Sequence, residues 1–320
     1  VEWKEAAYQL NGFEETISRI NQKKLSLDKL RPIPEVAIRS IKEALTLEWT
    51  YNSNSIEGNS LTLRETKVVL EEGMTIKGKS LREHFEAVNH HDAIEHIEKL
   101  AHPSYKLTGA DVLAVHAKVL LHIEKEFAGR FRTAGVRIGG ANFVPPNALK
   151  VSNLMDELIA WVNEPQQSLD PLLQIVVFHH RFVWIHPFFD GNGRTVRLLF
   201  NLLFMKLGYP PAIILKNDRK KYYDALNRSN EGDYSKLALL ILQALERSLD
   251  IYLSSLNNTH DDYKSIASIV SEPSMPYGQE YVSLLARTGK IDAYKEGNVW
   301  MTTQKAVVEY HTKKRNKKKK

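Results

Sequence analysis

Apolar positions along this 320-residue chain recur mostly at helical spacing, and the residues between them are those that start and stop helices. Thr62-Leu63-Arg64-Glu65 and Ser80-Leu81-Arg82-Glu83 both read as capping boxes, where hydroxyl and carboxylate each satisfy an orphaned backbone N–H. Asp170-Pro171 predicts a helix start, with a carboxylate at the N-cap and proline at the first helical position. That helix carries Leu172, Leu173, Val176 and Val177, and should stop before Pro187, which disfavours the α region in its predecessor. A second helix is expected from near Gly193 to Leu207, with Gly208 as its stop and Pro210-Pro211 just beyond. No internal repeat is visible.

Two stretches break this pattern. Between Gly129 and Pro146, glycines, β-branched residues and the pair Gly139-Gly140 predict a short β-hairpin. From Gly278 to Tyr310, Tyr281, Leu284 and Leu285 make a helical stripe that Gly289 closes. Ile291 to Trp300 then reads as two strands around Glu296-Gly297-Asn298, and a capped helix follows from Thr303. The expected organisation is a helical N-terminal region over 1–105, a core over 106–256 and a polar linker over 257–277. A module resembling a small winged helix (278–312) and a basic tail (313–320) complete it. The fold class is therefore all-α, with a β-hairpin and a small C-terminal module.

Composition narrows the function classes. No cysteine is present, which excludes disulfide scaffolds, zinc ribbons and thiol catalysis. Apolar runs such as Leu202-Leu203-Phe204-Met205 fall far short of the roughly 20 residues of a membrane helix. No signal-like segment opens the chain, so a cytoplasmic protein without membrane contact is expected. The net charge is +6, but the last eight residues hold seven basic groups; without them 37 basic face 38 acidic residues. The basicity thus belongs to the tail, expected to be solvated and disordered.

The densest chemistry lies in His186-Pro187-Phe188-Phe189-Asp190-Gly191-Asn192-Gly193-Arg194-Thr195-Val196-Arg197. Its glycines allow consecutive N–H groups from Gly191 to Arg194 to form an anion nest at a helix N-terminus. Arg194 and Arg197 share a helix face and can reach one polyphosphate. Asp190 is a hard oxygen donor suited to Mg²⁺, and His186 has the pKa of a general base. Each piece alone is commonplace, a turn, a core histidine or a solvated face; their compression into twelve residues is informative.

The segment resembles the signature His-Pro-Phe-x-Asp-Gly-Asn-Gly-Arg-x-x-Arg of the Fic (Fido) family without a mismatch. His179, Phe182 and Ile185 fit the upstream spacing, and Asp218 to Leu226 with Asn230 to Asp233 resembles the family's adenosine-side helix and loop. The resemblance covers most of residues 45 to 250. It implies transfer of AMP from ATP to a Ser, Thr or Tyr hydroxyl of a protein, with release of pyrophosphate. His186 is then the base and Asp190 the Mg²⁺ ligand. Gly191, Asn192, Gly193 and Arg194 cradle the phosphates, Arg197 clamps the γ-phosphate, and Tyr223 and Asn230 line the nucleoside pocket.

Ser53-Asn54-Ser55-Ile56-Glu57-Gly58-Asn59 resembles the family's inhibitory motif, in the class where that motif precedes the core. Ser53 to Glu57 spans one helical turn, Gly58 can cap it, and a glutamate at a helix C-terminus favours a cationic partner. The implied partner is Arg197, which the pair would withhold from the γ-phosphate. The 129–146 hairpin resembles the family's flap. Val136, Arg137 and Ile138 would take a target peptide by strand addition, and Val144 would meet the nucleotide.

Competing readings remain open at this point. His84, His90, His91-Asp92 and His96 suggest a metal phosphohydrolase, but no second ligand pair accompanies them. The same Fic site could run in reverse as a de-AMPylating hydrolase, with Glu57 orienting water. A DNA-binding regulator with a nucleotide-sensing core is the non-enzymatic reading. Expected partners are an unidentified target protein and the chain itself as auto-modification substrate, with DNA and a second copy weighed beside them.

Overall fold

A computed structural model describes residues 10–166, 169–257 and 262–318. Local capping chemistry accounts for the helix starts. After α1 (Glu14–Lys29) and α2 (Glu35–Ile56), α3 (Leu63–Lys67) begins at the reciprocal Thr62–Glu65 cap and widens into a π turn over Val68–Glu72. The Ser80–Glu83 box starts α4 (Leu81–Leu100). Next come α5 (Gly109–Val119), α6 (Val151–Asn163), α7 (Pro171–Ile185), α8 (Asn192–Lys206), α9 (Arg219–Asn230) and α10 (Ser235–Asn257). At α7 the Asp170 carboxylate accepts the Leu172 N–H at 2.8 Å, the N-cap that Asp-Pro predicts.

The chain divides into two units, one built on residues 42–238 and the other on 11–41 with 239–320. In the first, α7 and α8 pack together at the centre, α6 lies against α7, and α4 and α5 against α8. Both central helices are buried on nearly all faces, so they lack the polar stripe of a surface helix. Phe178, Phe182, Phe188, Phe200 and Phe204 are fully buried there.

The second unit does not follow the expected boundaries. Its C-terminal part contains β1 (Lys264–Ser265), α11 (Ile266–Val270), α12 (Gln279–Arg287), β2 (Ala293–Glu296), β3 (Val299–Thr302) and α13 (Gln304–Lys318). The strands form an antiparallel sheet in the order β1–β3–β2, with Ala293 opposite Thr302 and Glu296 opposite Val299. The expected linker is corrected here: Ile266 and Ile269 are buried with Val282, Leu285, Ala286, Ile291 and Val307 in one apolar core. Residues 258–261 lie outside the described residues. The disordered tail is corrected too, since α13 continues to Lys318. Lysine is a good helix former, and Lys314 donates to the Tyr281 hydroxyl at 2.8 Å across the Tyr281 ring. Lys319 and Lys320 lie outside the described residues.

Residues 11–41, expected with the N-terminal region, join this unit through buried charge. Lys23 Nζ lies 2.9 Å from Glu246, 2.5 Å from Asp250 and 2.6 Å from Asp292, and Arg19 Nε lies 2.5 Å from Glu246. Burial opposes the charge on Lys23, but the three carboxylates hold its pKa well above the usual lysine value. Lys23→Met should destabilise this unit by about 3–5 kcal/mol, because it removes the one ammonium that contacts all three carboxylates and leaves buried Asp250 without its cationic partner. Chemical denaturation checks this; a midpoint equal to wild type would remove the network from the stability of the unit.

The expected hairpin is also corrected. Over residues 129–146 the chain is an irregular loop without a strand ladder. Arg132 explains why: its Nη1 donates to the Ala134 carbonyl at 2.9 Å and its Nη2 to the Pro146 carbonyl, so one guanidinium ties both limbs. Pro145 and Pro146 also lack the N–H groups a ladder needs.

Candidate active site

The α7–α8 connection is a tight loop whose backbone is set by two left-handed residues. His186 caps α7 at φ 49°, and Gly191 precedes α8 at φ 76°. Between them, the Asn192 carboxamide accepts the Phe188 N–H at 2.9 Å and donates to the Phe188 carbonyl at 2.8 Å, closing the turn. The side chain of Asn192 therefore braces the loop, while α8 starts without any side-chain cap. Its first N–H groups stay available to an anion.

Two arginines rise from the first turns of α8, and both are buried. Arg197, only 2% exposed, donates from Nη2 to Glu57 Oε1 at 2.7 Å and to the Ser53 carbonyl at 2.9 Å. Its Nε donates to Ser53 Oγ at 3.0 Å, and its buried Nη1 has no partner. Glu57 sits just beyond α2, where Gly58 at φ 104° turns the chain away. A Cβ on Gly193 would lie 2.1 Å from Glu57 Oε1, so only glycine lets this carboxylate lie over the start of α8. Ser53, Glu57, Gly193 and Arg197 are thus assembled into one contact.

Asp190 and Arg194 form the neighbouring group. Asp190 Oδ1 accepts the Gly191 N–H at 2.6 Å and lies 3.5 Å from Arg194 Nη2. Burial pushes the Asp190 carboxyl up, but Arg194, the Gly191 N–H and Arg82 outweigh it and hold the pKa below the usual range. His186 is also shifted down, but here burial itself is the cause. Burial lowers it to about 4, so the imidazole is neutral at pH 7 and ready to accept a proton.

The remaining candidates lie on flanking segments. Tyr223 is half-buried on α9 beneath the Arg219 guanidinium, which also donates to the Ile56 carbonyl at 2.7 Å. Asn230 accepts from His180 Nε2 at 2.8 Å and donates to Asn142 Oδ1 at 2.8 Å, pinning the 129–146 loop. Val136 and Ile138 are half-buried, whereas Arg137 and Val144 are exposed. His91 and Asp92 pair only at 3.9 Å, and no group of three or more metal-ligating side chains exists among the described residues.

Several residues escaped the sequence reading. Besides its loop contacts, Arg132 donates from Nε to the His186 carbonyl at 2.8 Å, fastening the loop to the residue assigned as base. His116 accepts the Gly129 N–H on Nδ1 at 2.9 Å, so its proton is on Nε2 and goes to the Asp190 carbonyl at 2.9 Å. Its ring lies flat on Phe188 at 3.5 Å. Arg82 and Glu86 on α4 reach Asp190 and Arg194. Only the basic and acidic letters of these residues were visible in the sequence, with no spacing to tie them to the loop.

Four histidines are buried neutral around this core, and half-buried His186 is neutral beside them. Burial lowers His90 and His179 well below the ordinary value, His180 to about 3, and His116 and His186 to about 4. Unfolded, each titrates near about 6.5. The unfolded chain therefore takes up protons below that pH while the folded chain does not. Stability is intact above it and falls as pH drops toward the folded values. Each histidine contributes up to about 1.4 kcal/mol of loss per pH unit. Denaturation midpoints at about one unit either side of the unperturbed pKa should differ sharply; equal midpoints would contradict the buried neutral state.

Residues 106–204 match the sequence model of the Fic/DOC family. The chain is 35% identical to the protein adenylyltransferase Fic of Aedes aegypti over 286 residues, 89% of this chain and 56% of that protein. It is 40% identical to the protein of the same name from Drosophila grimshawi over 229 residues, 71% of this chain and 47% of that one. The chain thus spans about half the length of these curated relatives. Among solved structures, Fic-1 from C. elegans superposes with a TM-score of 0.68 at 29% identity, covering 77% of this chain and 73% of that one. A Fic-domain signaling protein from Bacteroides thetaiotaomicron superposes with a TM-score of 0.69 at 26% identity, covering 76% and 97%.

Proposed function

On the premise that this chain carries a Fic/DOC domain over residues 106–204, we propose that it is a self-restrained protein adenylyltransferase. The observation that carries this reading is the single loop joining a neutral histidine, a lone carboxylate and two buried arginines at an uncapped helix start. In the reaction, a target hydroxyl oxygen bonds to the α-phosphorus of ATP as its proton passes to His186. The bond from that phosphorus to the bridging oxygen breaks, and pyrophosphate leaves with the electron pair. Arg194, Arg197 and the N–H groups at the start of α8 from Asn192 to Arg194 hold the phosphates, while the Gly191 N–H is held by Asp190, and Tyr223 and Asn230 flank the nucleoside.

The residues fit both ligands. The unpartnered Arg197 Nη1 and the glycine at 193 would frame a cradle suited to a phosphate once the Glu57 carboxylate that now lies over Gly193 is displaced. Asp190 would hold Mg²⁺, which commonly uses one carboxylate with substrate phosphates and water and would neutralise phosphate charge here. Val136 and Arg137 lie in a stretch without strand pairing, where an extended target segment could add.

The Glu57–Arg197 pair is the restraint in this reading, because it uses donors that the γ-phosphate needs. A second reading, water-driven removal of AMP, uses the same site, with the Glu57 carboxylate that contacts Arg197 through Oε1 orienting the water. The β1–β3–β2 sheet with α11 and α12 supports a winged-helix-like module, suited to docking a target or nucleic acid. Mass spectrometry of the full chain and a cell lysate after incubation with labelled ATP and Mg²⁺ tests the activity. An AMP adduct on either supports transfer; loss of AMP from a pre-modified target with no adduct formation would favour the reverse reaction.

A further inference from the structure

The carboxylate assigned to the metal already carries a cation. Asp190 Oδ2 accepts a hydrogen bond from Arg82 Nη2 at 2.6 Å, across 108 positions of sequence. One turn along α4, Glu86 Oε1 lies 3.3 Å from Arg82 Nε and 3.1 Å from Arg194 Nη1. With the 3.5 Å Arg194–Asp190 contact, these four side chains close a ring of alternating charge, formally neutral.

The members of the ring are not equally held. Arg194 is 3% and Glu86 12% exposed, and Glu86 Oε2 also takes the Asn59 Nδ2 hydrogen bond at 2.9 Å. Arg82 and Asp190 are 48% and 44% exposed. The half-exposed Glu124 carboxylate, not a member of the ring, lies 3.6 Å from Arg82 Nη1. Arg82 is therefore the one arm with both solvent and a second carboxylate to move to.

We propose that Arg82 is a displaceable counter-ion standing in for the divalent cation at Asp190, and that it sets the metal demand of the site. This rests on the reading of Asp190 as the metal ligand. A guanidinium and a divalent cation cannot share Oδ2, because like charges a few ångströms apart repel. Metal-nucleotide must push Arg82 onto Glu86 and Glu124. Metal-free nucleotide instead meets an extra cation beside its phosphates. Arg82 thus weakens metal binding and strengthens metal-free nucleotide binding, two effects of opposite sign that a structural role would not produce.

The test uses the full chain with Arg82→Gln, Arg82→Lys and Asp190→Asn. Mn²⁺ affinity is read by electron paramagnetic resonance at saturating ATP analogue, and metal-free ATP affinity by calorimetry in chelator. Arg82→Gln should bind Mn²⁺ about two- to fivefold tighter and metal-free ATP about two- to fivefold weaker, the range of a half-exposed ion pair. Arg82→Lys should restore both toward wild type. If Asp190→Asn abolishes Mn²⁺ binding while Arg82→Gln changes neither affinity, the stand-in role is overturned and the metal reading survives. If Asp190→Asn leaves Mn²⁺ binding intact, the metal reading falls and the proposal with it.

Discussion

Glu57→Gly is expected to raise self-adenylylation roughly 10–100-fold above wild type. Arg197 is fully buried, and its two strongest anchors come from the end of α2: the Ser53 contacts and the 2.7 Å bond to Glu57. Burial works against the charged guanidinium, yet the Glu57 carboxylate beside it holds its pKa above the usual arginine value. Removing the carboxylate leaves the Ser53 anchors in place and frees an Nη2 donor beside the unpartnered Nη1. It also clears the space above Gly193, where the carboxylate now lies within 2.1 Å of a notional Cβ. An ion pair contributing about 1.4 kcal/mol restrains activity tenfold, and two such increments a hundredfold. Adding Arg197→Ala to Glu57→Gly should cancel most of the gain, since the released guanidinium is what produces it. A labelled-ATP assay of wild type, both single variants and the double variant decides the matter. Equal rates in wild type and Glu57→Gly would sink the self-restraint reading.

His186→Ala should lower AMP transfer by about 10²–10⁴-fold while leaving ATP affinity near wild type. The imidazole is the one group of the loop assigned to take a proton, and it is neutral at pH 7 because burial lowers it to about 4. Its left-handed backbone is an αL helix cap, and its carbonyl is held by Arg132, so alanine removes the base with modest disturbance to the loop. The acid limb of kcat/KM should accordingly lie near the lowered value rather than at the ordinary histidine pKa of about 6.5. Transfer at an undiminished rate in the alanine variant would remove His186 from the mechanism. An unchanged rate with lost ATP affinity would assign the imidazole to binding instead.

The helical skeleton of the first unit was legible from short-range signals. The Thr62–Glu65 and Ser80–Glu83 boxes, the Asp170-Pro171 start, the Pro187 stop and the glycine after α8 all act within about four residues. The loop from His186 to Arg197 was legible for the same reason, because its histidine, carboxylate, glycines and arginines lie within twelve consecutive residues. The 129–146 segment misled the reading. Its β-branched residues and glycines suit a hairpin, but whether a ladder forms depends on where the carbonyls of Ala134 and Pro146 find donors. Those donors belong to Arg132, whose guanidinium can be assigned to them only in three dimensions. The linker misled it likewise: Ile266 and Ile269 stand among polar residues, and their burial requires the apolar face of α12 to be folded against them.

By itself, the sequence determined which residues could handle a phosphate and where most helices of the first unit begin and end. These are properties of local backbone geometry and of side chains a few positions apart. The family resemblance had implied the Glu57–Arg197 pair, but the tertiary structure alone decided the other charge pairings. Arg82 meets Asp190 across 108 positions, and Lys23 is enclosed by carboxylates from α10 and from just before β2. The physical reason is that an ion pair depends on distance in space and on the water excluded around it, and neither is encoded in the spacing of letters along a chain.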